Sequence, residues 1–137
     1  MNPHLTERLF AAFPALFRGR QLPVTENLMG FGFDCGDGWY ALIEQLATAI
    51  SAHAAATGLN PLAVQVKQTF GTLRFDVDAA DAHIQALCAA AEQRSSQICE
   101  QCGASGAMRY YRRRLLACCD SHAPPGSWIA AQRPDAD

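Results

Sequence analysis

Lysine is nearly absent from this chain: ten of its eleven basic side chains are arginine, and Lys67 is the exception. Excess charge is lacking too, since 13 acidic residues bring the formal net charge to −2. That balance excludes a polycation built as a whole for nucleic acid or acidic lipid, and leaves room for a local basic patch. No stretch reaches the roughly 20 apolar residues that cross a bilayer, so no membrane partner is expected. The N-terminus, Met-Asn-Pro-His with Glu7 close behind, does not have the pattern of a signal peptide. A reducing, intracellular setting is the default expectation. There are no internal repeats. What is present is ample apolar material: half of the 137 residues are hydrophobic and 18% are charged. This suits one domain of ordinary size, burying about two-thirds of its unfolded surface.

Apolar spacing predicts an α+β fold: three main helices with a small antiparallel β-hairpin or sheet, followed by a C-terminal zinc ribbon. Leu5, Leu9, Phe13, Leu16 and Phe17 predict a first helix to about Ala12, ended or kinked by Pro14. Residues 29–39 carry four glycines, which permit tight turns, and the first half suits a short strand. Asp37 is placed to cap a second helix, whose stripe is Trp39, Leu42, Ile43, Leu46 and Ile50. Gly58 would stop that helix. Residues 62–78 alternate with period two and predict a hairpin. A two-residue turn at Phe70-Gly71 would pair Thr69 with Thr72, Val66 with Phe75 and Val64 with Val77, and set Lys67 opposite Arg74. Asp78 or Asp81 would cap a third helix through about Ile98, with Ile84, Leu87, Cys88 and Ala91 inward. The expected organisation is an α+β body over 1–97, a ribbon over 98–123, packed on or appended to the body, and a tail over 124–137.

Six cysteines in a secreted chain would suggest disulfides, but here their spacing points to metal. Cys99-Glu-Gln-Cys102-Gly103 has the form of a zinc knuckle, in which two thiolates grip one ion from a single turn. Cys119-Asp-Ser-His122 repeats the spacing with imidazole as fourth ligand. The 16 residues between the pairs suffice for two strands, near Met108–Tyr111 and Arg114–Ala117. Four N/S ligands fill a tetrahedral shell and leave no position for substrate water, so one structural Zn²⁺ is expected. It would supply on the order of 10 kcal/mol to a segment with little core. Unliganded thiols and disulfides remain alternatives, and Cys118 competes with Cys119 as the third thiolate. Cys35 and Cys88 are expected as packing residues; no His lies near Cys35 in sequence to make it a nucleophile.

Three stretches occur in order: Phe31-Gly-Phe-Asp-Cys-Gly-Asp-Gly-Trp39, Gln65-Val-Lys-Gln-Thr-Phe-Gly-Thr-Leu-Arg-Phe75, and Cys99-x-x-Cys-Gly…Cys-Asp-x-His122. Together, over about residues 5–123, they resemble a widespread group of small proteins encoded by bacteriophages and prophages. The resemblance implies a phage accessory origin, a bacterial cytoplasmic location and a zinc-ribbon end; it implies no reaction. This chain departs from the group in the basic character of Arg109–Cys118 and in the extra thiol, Cys118.

Arg109, Tyr110, Tyr111, Arg112, Arg113 and Arg114 fall inside the ribbon loop. Guanidiniums with interleaved aromatics suit phosphates and bases, or the acidic surface of a protein. A solvated, charged hairpin tip is the plainer alternative. Lys67 and Arg74 could form a second cationic site; like charges facing each other cost stability unless an anion or carboxylate neutralises them, and two snorkelling side chains on a wet sheet face are the alternative. Asp34, Asp37 and Glu44 sit by the glycine-rich turn, where a Mg²⁺ site competes with capping and turn roles. His4, His53 and His83 are scattered on or near predicted helices. Trp39 is expected in the core; Trp128 would pack back or anchor a partner.

These features predict a non-enzymatic binding module that engages a host or phage protein, including a host defence complex such as a CRISPR effector. A nucleic-acid-binding regulator using the same loop is the first alternative. A metal-dependent hydrolase or nuclease using Asp34 and Asp37 is the second.

Overall fold

In the computed structural model, which describes residues 1–130, the first apolar stripe forms helix α1 (Pro3–Ala12). Pro3 occupies the first turn, and the Asn2 side chain accepts from the Leu5 amide at 2.9 Å, satisfying one orphan donor. Leu9 and Phe10 turn inward, and Phe17 stands edge-on to Phe10 and Phe33 at 5.8 and 5.2 Å. Strand β1 (Phe33–Asp34) follows, then helix α2 (Tyr40–Thr57). Trp39, Leu42, Ile43, Leu46 and Ile50 are all buried, as their spacing predicts. Gly58 ends the helix in a left-handed conformation (φ 75°), its N–H bonded to Ala54 O.

Strands β2 (Leu62–Thr69) and β3 (Thr72–Asp78) form the predicted hairpin, and β1 adds a parallel third strand against β2. Thr69 faces Thr72, Val66 faces Phe75 and Lys67 faces Arg74. Phe70 and Gly71 both take positive φ, as a type I′ turn requires. The expected pairing of Val64 with Val77 fails, because a bulge between Ala63 and Gln65 sets Ala63 opposite Val77. Ala63 is held there by both its backbone groups. Its N–H donates to Leu16 O, and its carbonyl accepts from the buried Asn27 amide. The extra residue lets Ala63 enter the core and leaves Val64 half-buried.

Helix α3 (Ala82–Ser95) is capped by Asp81, not Asp78: its carboxylate accepts from the Ile84 amide at 2.9 Å. The helix stops at Ser95, short of the predicted Ile98. There the Ser95 hydroxyl leaves the helical pattern and accepts from Leu73 N–H at the edge of β3. Asp37 does not cap α2 either. A short helical turn (Asp37–Trp39) precedes α2, and the Asp37 oxygens accept from Asn2 N (2.8 Å) and Asn2 Nδ2 (3.0 Å).

The C-terminal sheet has the order β5-β4-β6, with β4 at Ala107–Tyr111, β5 at Arg114–Cys118 and β6 at Trp128–Ile129. The third strand corrects the expectation of a tail from 124 onward. Pro124–Ser127 make a turn, closed by Ser127 N–H to Pro124 O, and the chain returns to pair Trp128 with Tyr110. The rest of the predicted tail, 131–137, lies outside the described residues. Ala117 belongs to the same buried cluster as the body, and Met108 packs against it. No helix among the described residues is long and apolar enough to cross a membrane.

Candidate metal centre

The knuckle begins where α3 ends. Cys99 N–H bonds to Ala104 O, and Gly103 N–H returns to Cys99 O, with Gly103 at φ +82° closing the turn. Glu100 N–H donates to Ala117 O, which ties this turn to β5. At the far end of β5 a second turn (Asp120–His122) carries the remaining two ligands back to the first pair.

Cys99, Cys102, Cys119 and His122 converge, with their ligand atoms all within 4.8 Å of one another. Cys102 Sγ lies 3.7 Å from Cys119 Sγ; His122 Nδ1 lies 3.7 Å from Cys99 Sγ and 3.2 Å from Cys119 Sγ. A tetrahedral shell with metal–sulfur bonds near 2.3 Å sets neighbouring ligand atoms about 3.8 Å apart. The four residues therefore fit a metal ion and leave no side open to a fifth group. Cys118 lies outside the quartet; it is buried on β5 opposite Ala107, and burial raises its thiol above the ordinary range. Cys99 differs. Burial alone would raise its thiol, but the N–H groups of Cys119, Cys102 and Gln101 point at the sulfur, and the net effect lowers it to about 6. Amides aimed at a sulfur favour the thiolate that a metal needs.

The glycine-rich stretch is the seat of this knuckle. Gly38 N–H donates to Glu100 O at 2.7 Å, Gly36 N–H donates to the Glu100 carboxylate at 2.8 Å, and the Trp39 indole donates to Ile98 O at 3.0 Å. A Cβ on Gly38 would lie 2.2 Å from Cys99 O and 2.7 Å from Cys102 N. Backbone must meet backbone here, so glycine is required. The sequence shows the glycines but not their partner, which lies some sixty residues downstream.

The other candidates separate. Asp34, Asp37 and Glu44 are exposed and do not form a three-ligand group: the one such cluster among the described residues is the Cys/His quartet. Hydrogen bonds from Asn2 hold the Asp37 carboxyl below its usual range. Burial pushes the Cys35 thiol up to about 12 and the Cys88 thiol up to about 11, so both pack as protonated side chains. Lys67 and Arg74 face each other across the hairpin, as expected. Asp34 is the register partner of Lys67 on β1, and Arg74 Nε bonds to Asp76 at 2.9 Å. His4 and His83 are exposed, whereas His53 bonds to Asp81 at 2.7 Å and stacks on the His83 ring at 4.1 Å.

The ribbon loop splits. Arg109 has only 12% of its side chain exposed and bonds to Asp120 at 2.6 Å, so it braces β4 against the His122 turn. Arg112, Arg113 and Arg114 are exposed and make no ion pair among the described residues. Arg112 and Arg113 both have positive φ (50° and 66°), and the Arg112 guanidinium lies 5.1 Å from the Tyr111 ring. Sequence reasoning left the role of Trp128 open; its pairing with Tyr110 places it beside this turn.

The fold and quartet define a small α+β protein with a Cys₃His cluster that could hold a metal ion. Comparison with family models, curated proteins and solved structures finds no match.

Proposed function

We propose that the chain is a non-enzymatic binding module in which one structural zinc ion holds a cationic turn rigid for a partner. Zinc follows from the donor set, because three thiolates and an imidazole in a tetrahedral arrangement suit that ion and saturate it. The observation that carries the binding role is the turn at Arg112-Arg113. Two arginines in left-handed backbone cost of order 1–2 kcal/mol each relative to the Asn-Gly that such a turn prefers. Strain kept at an exposed, unpaired, doubly charged turn is what a recognition element requires. The resemblance to phage-encoded proteins supports an accessory role in the bacterial cytoplasm, with a host factor as the partner. A host protein, including a defence complex, is the partner that resemblance favours.

Elemental analysis of the purified chain should give one zinc per chain. Substituting Arg112→Glu with Arg113→Glu should abolish capture of the partner from host cells while keeping that zinc. Undiminished capture would remove this turn from the reading.

A further inference from the structure

Behind the arginine turn lies a cleft of about 520 Å³. Tyr110, Tyr111, Arg112, Arg113, Gly126 and Trp128 line it. Three different segments build it. Strand β4 supplies the tyrosines, the tight turn supplies the arginines, and the chain that returns after Pro124-Pro125 supplies Gly126 and Trp128. Gly126 takes φ +85° in the turn that delivers Trp128, a residue that remains 44% exposed.

The lining is chemically uneven in a useful way. It offers three aromatic rings and two guanidiniums. Among the described residues it holds no carboxylate, thiol or imidazole. A cleft of this composition fits a flat aromatic ring joined to an anion. A carboxylate from an acidic protein surface would use the arginines and leave the rings uncovered. A nucleotide uses both: its base stacks on an aromatic side chain and its phosphate meets a guanidinium. In a duplex the base faces are already covered by their neighbours, so the cleft can admit only unpaired bases.

We propose that this cleft binds single-stranded nucleic acid, with Trp128 as the stacking platform and Arg112 and Arg113 on the phosphates. The proposal rests on the rigid cationic turn of the binding-module reading and gives that turn a second ligand class beside the host protein. The net charge of −2 does not oppose it, because the contact is confined to one turn that has no acidic lining among the described residues.

The test is fluorescence anisotropy with a labelled oligo-dT, using the full zinc-loaded chain across a salt series. Binding should weaken as salt rises. Arg112→Ala with Arg113→Ala should make the log–log slope shallower by about 1.4, the share of two phosphate contacts on a single strand. Trp128→Ala should weaken binding about tenfold or more, and Trp128→Tyr should restore most of it. Zinc content and circular dichroism should stay unchanged in each variant. Equal affinity for Trp128→Ala and parent would overturn the stacking role. Equal affinity for duplex and single strand would overturn the ligand class. If oligo-dT does not bind even at low salt, yet the Glu double variant still loses its host protein, the nucleic-acid proposal falls and the binding module stands. If oligo-dT does not bind and capture is undiminished, both fall.

Discussion

The body, up to about Gln97, buries Trp39, Phe17, Leu9, Met29, Ile43 and Ile50 almost completely. From Ile98 to Ala130 only Cys99, Ala117 and Cys118 are buried, and one of these is a candidate metal ligand. One region is held by apolar area. The other has three strands, a strained turn and almost nothing to squeeze out of water. The hydrophobic effect scales with buried area, so a segment this thin needs another source of cohesion. A metal ion held by the quartet would provide it, since metal binding by ligands that converge only in the folded state is folding free energy. The difference also divides labour. The body can vary its core chemistry within volume limits, whereas a metal-held ribbon would depend on four ligand atoms.

The largest effect that tests this contrast is metal removal. A strong chelator, or Cys119→Ser, should release the ion and forfeit up to about 10 kcal/mol of ribbon stability. Helical circular dichroism should persist while near-ultraviolet signals from Tyr110, Tyr111 and Trp128 collapse. Cys118→Ser should keep the metal, because Cys118 stands outside the quartet. Loss of the helices along with the metal would show that the two regions do not separate. Next in size is the seat. Gly38→Ala forces a Cβ against the Cys99 carbonyl and should cost about 3 kcal/mol, lowering both Tm and metal affinity. Gly58→Ala meets no atom within 4 Å and carries only the left-handed penalty, about 1 kcal/mol, with metal affinity unchanged. Calorimetry with competitive metal titration separates the two.

A smaller effect has the opposite sign. Arg112→Asn with Arg113→Gly gives the turn its preferred residues and should stabilise the ribbon by about 1–2 kcal/mol. The same variant should lose binding, so denaturant midpoint and affinity move in opposite directions. The smallest effect lies in the body. The hydrogen bond with His53, and then that from the Ile84 amide, hold the Asp81 carboxyl below its usual 3.8. A lowered folded value stabilises the protein above the unfolded value, and the benefit disappears as pH falls through the folded one. Asp81→Asn should therefore be less stable than the parent at neutral pH, and the two unfolding curves should converge below about pH 4. Parallel curves at all pH values would deny the carboxylate this role.

How much of this was legible in the sequence depended on the range of the interaction. The α2 stripe, the Thr69–Thr72 hairpin register and the quartet are local patterns, visible because helix, strand and knuckle repeat over a few residues. The bulge at Val64 was not legible, since Leu16 and Asn27 impose it from elsewhere in the chain. Asp37 was misassigned as a helix cap for the same reason: the donors it meets belong to Asn2, 35 residues away. Arg109 could not be told from its neighbours without Asp120. The return of Trp128 was hidden by a Pro-Pro-Gly turn that resembles the start of a tail.

The seat of the knuckle also has a consequence in time. Its two halves are joined by hydrogen bonds that span as many as 64 positions, from Gly36 to Glu100. A ribosome adding about 5–20 residues per second leaves several seconds between them. Through that interval the Trp39 indole N–H has no Ile98 acceptor yet made. The nascent chain must therefore wait with one edge unfinished. The last bond of the body is made by the first turn of the ribbon, and the order of synthesis becomes an order of closure.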